Sequence, residues 1–317
     1  MRIWSGISTA HLFWNVASKA VLLRLDFLFV AFSGFYCDRT HEYLQRWRID
    51  ICDAENLTRI CIIERVSNSI NSHVFIEQTA ELLKSAKRVA ILTGAGVSKE
   101  SGIPTFRDAQ TGLWANYRPE DLATPQGFLQ NPDLVWQWYD SRRKKLLEVS
   151  PNAGHYAMAE LAQFVPELTV ITQNVDGLHQ QAGSKEVLEL HGSITAFRCF
   201  AKGHPANTDN IDFGLTSPPK CHCGSPYRPG VVWFGESLPG DVLSKAQKQA
   251  QSADIFIVAG TSGIVHPAAS LPFVAKEAGA TVIEINPEPT PITDTADIFL
   301  QGPSGQIWPK IIGLLKS

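Results

Sequence analysis

Long apolar runs are missing from this 317-residue sequence. The strongest, Phe27 to Tyr36, is only about half the length that spans a bilayer, and Arg24 and Asp26 block its extension upstream. No membrane segment is expected. Neither sign of charge is in excess: 28 Lys and Arg face 31 Asp and Glu, for a formal net charge of −3. That leaves no electrostatic footprint for DNA or RNA, so direct nucleic-acid binding is not expected. Cysteine is scarce as well. Cys37, Cys52 and Cys61 lie near the start and Cys199, Cys221 and Cys223 much later, too few and too irregular for a disulfide framework in a chain this long. A reducing compartment is the expectation. What is there, 44% hydrophobic and 19% charged residues, suits one large or two modest globular domains with ample core.

The first seventy residues carry the weakest pattern. Arg2, Lys19 and Arg24 precede the first acidic residue, with Ser5, Ser8 and Ser18 among apolar positions. A mitochondrial presequence has this character, and so does an extension without a targeting role, which would leave the protein cytoplasmic or nuclear. The first firm pattern is RVAILTGAGVSKESGIPTFRD, residues 88–108. Arg88 to Thr93 is a short apolar run, rich in β-branched residues, that reads as a buried strand. Gly94-Ala95-Gly96 follows, where the backbone turns and approaches something closely. A strand, a glycine turn and a helix start make a place for nucleotide phosphates. The hydride-transfer fingerprint needs a third glycine at 99, and residue 99 is lysine.

From there strands alternate with helices. Helices are expected over 74–87, 155–164, 241–252, 268–278 and 304–315, and strands over 168–172, 187–190, 255–259, 281–285 and 297–300. The rhythm predicts an α/β fold with a doubly wound, parallel Rossmann-like sheet, occupying about 71–110, 155–195 and 235–317. Two stretches interrupt it: an aromatic, proline-containing insertion of short helical pieces over 110–154, and a small Cys/His lobe over 196–230. Ligands of such sheets sit at the carboxyl ends of the strands. Four predicted strand ends finish in small or polar residues: Gly94, Gln173-Asn174, Gly260-Thr261-Ser262 and Asn286.

Six stretches in this order give the chain a family resemblance: GAGVSKESGIPTFRD (94–108), TQNVDGLHQQAG (172–183), ELHGS (189–193), RPGVVWFGE (228–236), GTS (260–262) and EIN (284–286). Over residues 75–315 the chain resembles the sirtuins, NAD-dependent protein-lysine deacylases. The resemblance implies that NAD is consumed as a co-substrate, that acyl-lysine proteins are the partners, and that nicotinamide and O-acyl-ADP-ribose are the products. It places cofactor contacts at Gly94, Ala95, Gly96, Ser98, Thr105, Phe106, Arg107, Gln173, Asn174, Asp176, Gly260, Thr261, Ser262, Asn286 and Ser304. His191 matches the base that takes a proton from a ribose hydroxyl, with Asn174 beside it as the second catalytic residue. Val231, Val232, Trp233 and Phe234 match a segment along which substrate peptide lies as an added strand.

Tyr139 and Arg142 match a Tyr-x-x-Arg pair of the class III sirtuins, whose preferred acyl groups end in a carboxylate: succinyl, malonyl, glutaryl. At a helical spacing of three the two share a face, and a guanidinium fork with a phenol beside it suits a carboxylate. The family's structural zinc normally takes two Cys-x-x-Cys-like pairs. Here Cys199 stands alone, followed by His204, and the second pair is Cys221-His222-Cys223. Three cysteines with His204 or His222 make a Cys3His set; a metal-free lobe is the alternative. Plain deacetylation, mono-ADP-ribosyl transfer and a non-catalytic NAD-binding scaffold stay open, and no residue pattern specifies an oligomeric state.

Overall fold

The computed structural model describes residues 73–103, 117–207, 211 and 215–317, all within one compact unit, Ser69–Ser317. The N-terminal extension and Thr105, Phe106 and Arg107 lie outside the described residues.

The unit opens with helix α1 over residues 73–85, leading to strand β1, Arg88–Thr93. Instead of the α-helix expected after the glycine turn, Ala95–Ser101 forms a 3₁₀ helix that ends at Gly102, whose φ of 84° is left-handed. Three helices follow: α2 (Pro119–Leu122), α3 (Pro125–Gln130) and α4 (Pro132–Leu146). Then come α5 (Ala153–Glu160), β2 (Glu167–Thr172), α6 (Leu178–Gln181) and β3 (Val187–Glu189). Strands β4 (Gly192–Cys199) and β5 (Tyr227–Val231) form a separate antiparallel pair. The chain closes with α7 (Gly240–Ser252), β6 (Ile255–Ala259), α8 (Leu271–Glu277), β7 (Thr281–Asn286), β8 (Ile298–Gln301) and α9 (Ser304–Lys316).

The main sheet is parallel throughout, in the order β3-β2-β1-β6-β7-β8. Chain connections run outward in both directions from the β1–β6 pair, so the crevice for a ligand opens at their carboxyl ends. Alternation decides which side chain faces which layer. Val89, Ile91, Ile257 and Ile285 pack with Leu83 of α1, Met158 of α5 and Trp308 and Ile311 of α9. Ala90, Leu92, Phe256 and Val258 pack on the other side against Ala246 and Ala250 of α7 and Leu271 and Ala275 of α8. Both faces are covered, which is why β6 reads as an unbroken apolar run. Each such fully buried Ile, Leu or Phe contributes about 1.5–3 kcal/mol.

The insertion is more regular than its sequence suggests. Helix α4 is one piece of 15 residues, started by Pro132 and by Asn131, whose side chain accepts from Leu134 N at 3.1 Å. Its pattern hides the helix because it is buried on two sides. Trp138 and Tyr139 pack with Phe128, Val231 and Trp233, while Trp136 packs with Phe197 and Ile211. Strand β4 carries no clean two-residue alternation either, because the register against β5 shifts between Ser193 and Phe197.

Candidate active site

The four strand ends singled out by the sequence do converge, and backbone contacts lock them together. Gly94 N donates to Ala259 O at 3.1 Å and Gly96 N to Gly260 O at 2.8 Å. A Cβ on Gly94 would lie 2.7 Å from Thr261 Cβ, and one on Gly96 would lie 2.6 Å from Gly260 O. The close approach inferred for this turn is therefore to the loop after β6, as well as to any ligand above it. Gln173, at the end of β2, reaches across β1 to donate from Nε2 to Thr261 Oγ1 at 2.9 Å. Asn286, at the end of β7, donates from Nδ2 to Thr261 O at 2.7 Å and to Glu284 Oε1 at 3.1 Å. Ser262 lies exposed beside Thr261. Ala95 is exposed at the mouth of the glycine turn.

Ser98 is the hub. Its buried hydroxyl donates to Asp176 Oδ2 at 2.7 Å and accepts from Asn174 Nδ2 at 3.1 Å. Asp176 Oδ1 accepts from Leu178 N at 3.0 Å, fixing the carboxylate on both oxygens. His155 Nε2 stands 3.5 Å from the same hydroxyl, and its Nδ1 accepts from Asn152 N at 3.3 Å, so the proton belongs on Nε2. Asn152 also donates from Nδ2 to Val97 O at 2.8 Å and to Ser101 Oγ at 3.0 Å. The start of α5 thus clamps the turn that carries Ser98.

His191 sits half-buried where β3 passes into β4. Its Nδ1 lies 2.9 Å from Gln173 O, and a carbonyl only accepts, so Nδ1 holds the proton and Nε2 is left with a lone pair. Burial lowers its pKa, against the pull of the Gln173 carbonyl, and keeps the ring neutral. That is the protonation state of a general base. Val232 N donates to His191 O at 2.8 Å, so the segment after β5 is tied to the histidine. Beside it Trp233 is buried and Phe234 exposed, with Phe234 N bonded to Ala123 O at 2.9 Å.

Tyr139 and Arg142 share one face of α4. Trp233 Nε1 donates to Tyr139 Oη at 3.0 Å, and burial pushes the phenol pKa up to about 12. The Arg142 guanidinium carbon lies 5.0 Å over the Trp138 ring. Asp140 points elsewhere, pairing with Arg143 at 3.1 Å and Lys144 at 2.8 Å.

At the far end of the β4–β5 pair, ligand atoms of Cys199, His204, Cys221 and Cys223 all lie within 4.8 Å of one another. Cys199 Sγ is 3.4 Å from Cys223 Sγ, and Cys221 Sγ is 3.6 Å from His204 Nδ1. Zinc bonded to sulfur at about 2.3 Å gives tetrahedral edges of about 3.8 Å, so these four fit the ion. Gly203 and Gly224, at φ of 70° and 85°, make the two tight turns that bring the pairs face to face. Of the two histidines, His204 completes the set; His222 stacks on it at 4.8 Å between ring centroids.

The Sir2 family model matches residues 94–267, which hold the glycine turn, the Ser98 hub, His191 and the four-ligand cluster. The chain belongs to the Sir2 family. An NAD-dependent protein deacylase of Aquifex aeolicus is 54% identical over 219 residues, covering 67% of this chain and 89% of the relative. Among solved structures, a Sir2 homologue in complex with NAD shares 46% identity over 76% of this chain and 93% of its own, with a TM-score of 0.70. Another, Sir2Af2 bound to a myristoylated histone peptide, shares 38% identity over 77% of this chain and 97% of its own, with a TM-score of 0.63.

Within this sirtuin, Ser304 is buried at the start of α9, beside Gly305, whose N donates to Glu100 Oε2 at 2.6 Å. Four supporting residues were given no role by the motifs. His155 and Asn152 hold the Ser98 turn. Glu284 is fully buried and accepts from Asn286, Thr290 and Thr293, which orients the Asn286 amide. His179 bonds Thr93 Oγ1 at 2.9 Å beneath the strand ends. The stretches 172–183 and 284–286 contain His179 and Glu284, and the signal for their roles is a polar residue at a position that the apolar pattern reserves for core.

Proposed function

We propose that this sirtuin removes acidic acyl groups (succinyl, malonyl or glutaryl) from protein lysines. The coarser activity is that of its family: the chain is an NAD-dependent protein deacylase that transfers the acyl group to ADP-ribose. Bound NAD supplies the ribose carbon that the acyl oxygen attacks as nicotinamide departs. Ser98, Asn174 and Asp176 form one hydrogen-bonded set at the β1–β2 end, suited to orient the ribose and carboxamide. The Asn174 amide donates to Ser98, which leaves its oxygen for a ligand hydroxyl. Nε2 of His191 takes the proton from the neighbouring ribose hydroxyl. Substrate peptide lies along Val231 to Phe234, on the segment tied to His191.

Arg142 carries the finer reading. Among the described residues no carboxylate stands at ion-pair distance from it; Asp176 bears on its charge but is engaged by Ser98 and Leu178. A half-buried guanidinium without a counter-ion is costly, and an incoming carboxylate relieves that cost. Arg142→Met tests the assignment. The ratio of kcat/KM for succinyl-lysine over acetyl-lysine peptide should fall about 10- to 100-fold, the worth of hydrogen bonds to a charged group. Desuccinylation left intact would remove the proposal. The myristoylated peptide in the Sir2Af2 complex favours a second reading, a long apolar acyl chain, and a myristoyl-lysine peptide assayed beside the others decides between them.

A further inference from the structure

Tyr139 has its hydroxyl oxygen occupied from inside the protein. The indole Nε1–H of Trp233, which donates only, reaches it at 3.0 Å. A phenolic hydrogen lies near the ring plane and has two positions, one on each side of the oxygen. With a donor fixed on one side, the hydrogen is driven to the other. The hydroxyl also stays protonated through the working pH range, because burial holds its pKa at about 12. Tyr139 is thereby set to donate rather than accept, three residues from Arg142 on the same helix face, and among the described residues no carboxylate pairs with that guanidinium.

Trp233 is itself held. Its ring is 1% exposed, and the Arg228 guanidinium carbon lies 3.3 Å from the ring centroid. Arg228 is anchored by the Glu236 carboxylate and donates from Nη2 to Val231 O at 2.8 Å. Glu236 Oε2 in turn accepts from Trp233 N at 2.8 Å. A cation over the indole face draws electron density from the ring and makes its N–H a stronger donor. Glu236, Arg228, Trp233 and Tyr139 form one chain of contacts running from the segment after β5 to the acyl-binding helix.

We infer that Trp233 is a specificity-positioning residue, whose indole N–H sets the Tyr139 hydroxyl as a donor to the terminal carboxylate of the acyl group. The inference rests on the acidic-acyl reading above and adds a residue that does not touch that carboxylate. An acetyl group has nothing for Tyr139 to donate to, so the effect appears only with acidic acyl groups.

The test is a double-mutant cycle on the full chain, with Trp233→Phe, Tyr139→Phe and the pair, assayed with NAD and succinyl- or acetyl-lysine peptide. The readout is the succinyl-to-acetyl ratio of kcat/KM within each variant, in which a general loss of activity or folded protein cancels. Trp233→Phe should lower the ratio about 3- to 10-fold, the worth of one hydrogen bond, and should lower it no further in the Tyr139→Phe background. The benzothiophene isostere of tryptophan at 233, which keeps the bicyclic ring and replaces only the N–H by sulfur, should give the same fall where the phenylalanine variant folds poorly. If wild type prefers succinyl and Tyr139→Phe weakens that preference while both changes at 233 leave it untouched, the role given to Trp233 is wrong and the acidic-acyl reading survives. Wild type without a succinyl preference would overturn the reading beneath it.

Discussion

Acid should destabilise this protein through its buried imidazoles, His179 foremost, before its carboxylates titrate. His179 is 1% exposed, its Nε2 is 2.9 Å from Thr93 Oγ1, its Nδ1 has no partner among the described residues, and its ring centroid lies 4.9 Å from that of His155. Burial, with the charge of His155 adding to it, lowers its pKa to about 3. The unfolded value is about 6.5, so the unfolded chain binds the extra proton. The stability that depends on neutral His179 is therefore fully present above about pH 6.5 and is lost as pH falls toward 3. At about 1.4 kcal/mol per pH unit, acidification from 6.5 to 4.5 costs about 2–3 kcal/mol from this residue alone. Glu236, Asp254 and Asp297 have lowered pKa values and add their own loss as pH falls through the ordinary carboxylate range and beneath it, equally in both proteins compared. The comparison is with His179→Gln, whose amide reaches toward Thr93 and does not titrate. Urea unfolding at pH 6.5, 5.5 and 4.5 should show wild type losing about 2–3 kcal/mol more than the variant across that window. Parallel losses in the two proteins would refute the reasoning, since His155 and His191 are common to both.

Three shorter tests bear on the site. Gly96→Ala puts a Cβ 2.6 Å from Gly260 O, so the variant should lose about 1–3 kcal/mol and bind NAD more weakly; unchanged stability and NAD affinity by calorimetry would contradict the packing. Cys199→Ser should strip zinc measured by metal analysis and expose the β4–β5 lobe to protease, whereas wild type purified without zinc would defeat the Cys3His assignment. Burial lowers the His191 pKa, and the base role proposed for it needs the neutral ring, so activity should be lost only as pH falls below the ordinary imidazole value. The acid limb of kcat/KM against pH should therefore lie below about 6.5, and a limb above neutrality would remove His191 from the base role.

The sheet was legible because its strands are short apolar runs ending in glycine or a polar residue, and each end reports a loop position that no side-chain pattern disguises. Gln173 and Asn174 were legible for the same reason, as polar residues placed where a buried strand stops, and Asp176 only through the family stretch that contains it. Helix α4 was not, because burial on two sides erased the one-faced stripe that a sequence reading depends on. The donors and acceptors around Ser98 were also hidden. His155 read as a helix start and Asn152 as the end of the insertion, and only the fold brings them against a turn some 55 residues earlier. The link from Trp233 to Tyr139 spans 94 residues; the sequence offered both as substrate-binding residues, but nothing in it joined one to the other.

The most direct measurement is nicotinamide release from NAD with succinyl-, malonyl-, glutaryl-, acetyl- and myristoyl-lysine forms of one peptide, with His191→Tyr as the blank. The account predicts that the acidic acyl groups are turned over with kcat/KM at least about ten-fold above acetyl and myristoyl, and that the blank releases nothing. Acetyl or myristoyl peptide processed as fast as succinyl would contradict it.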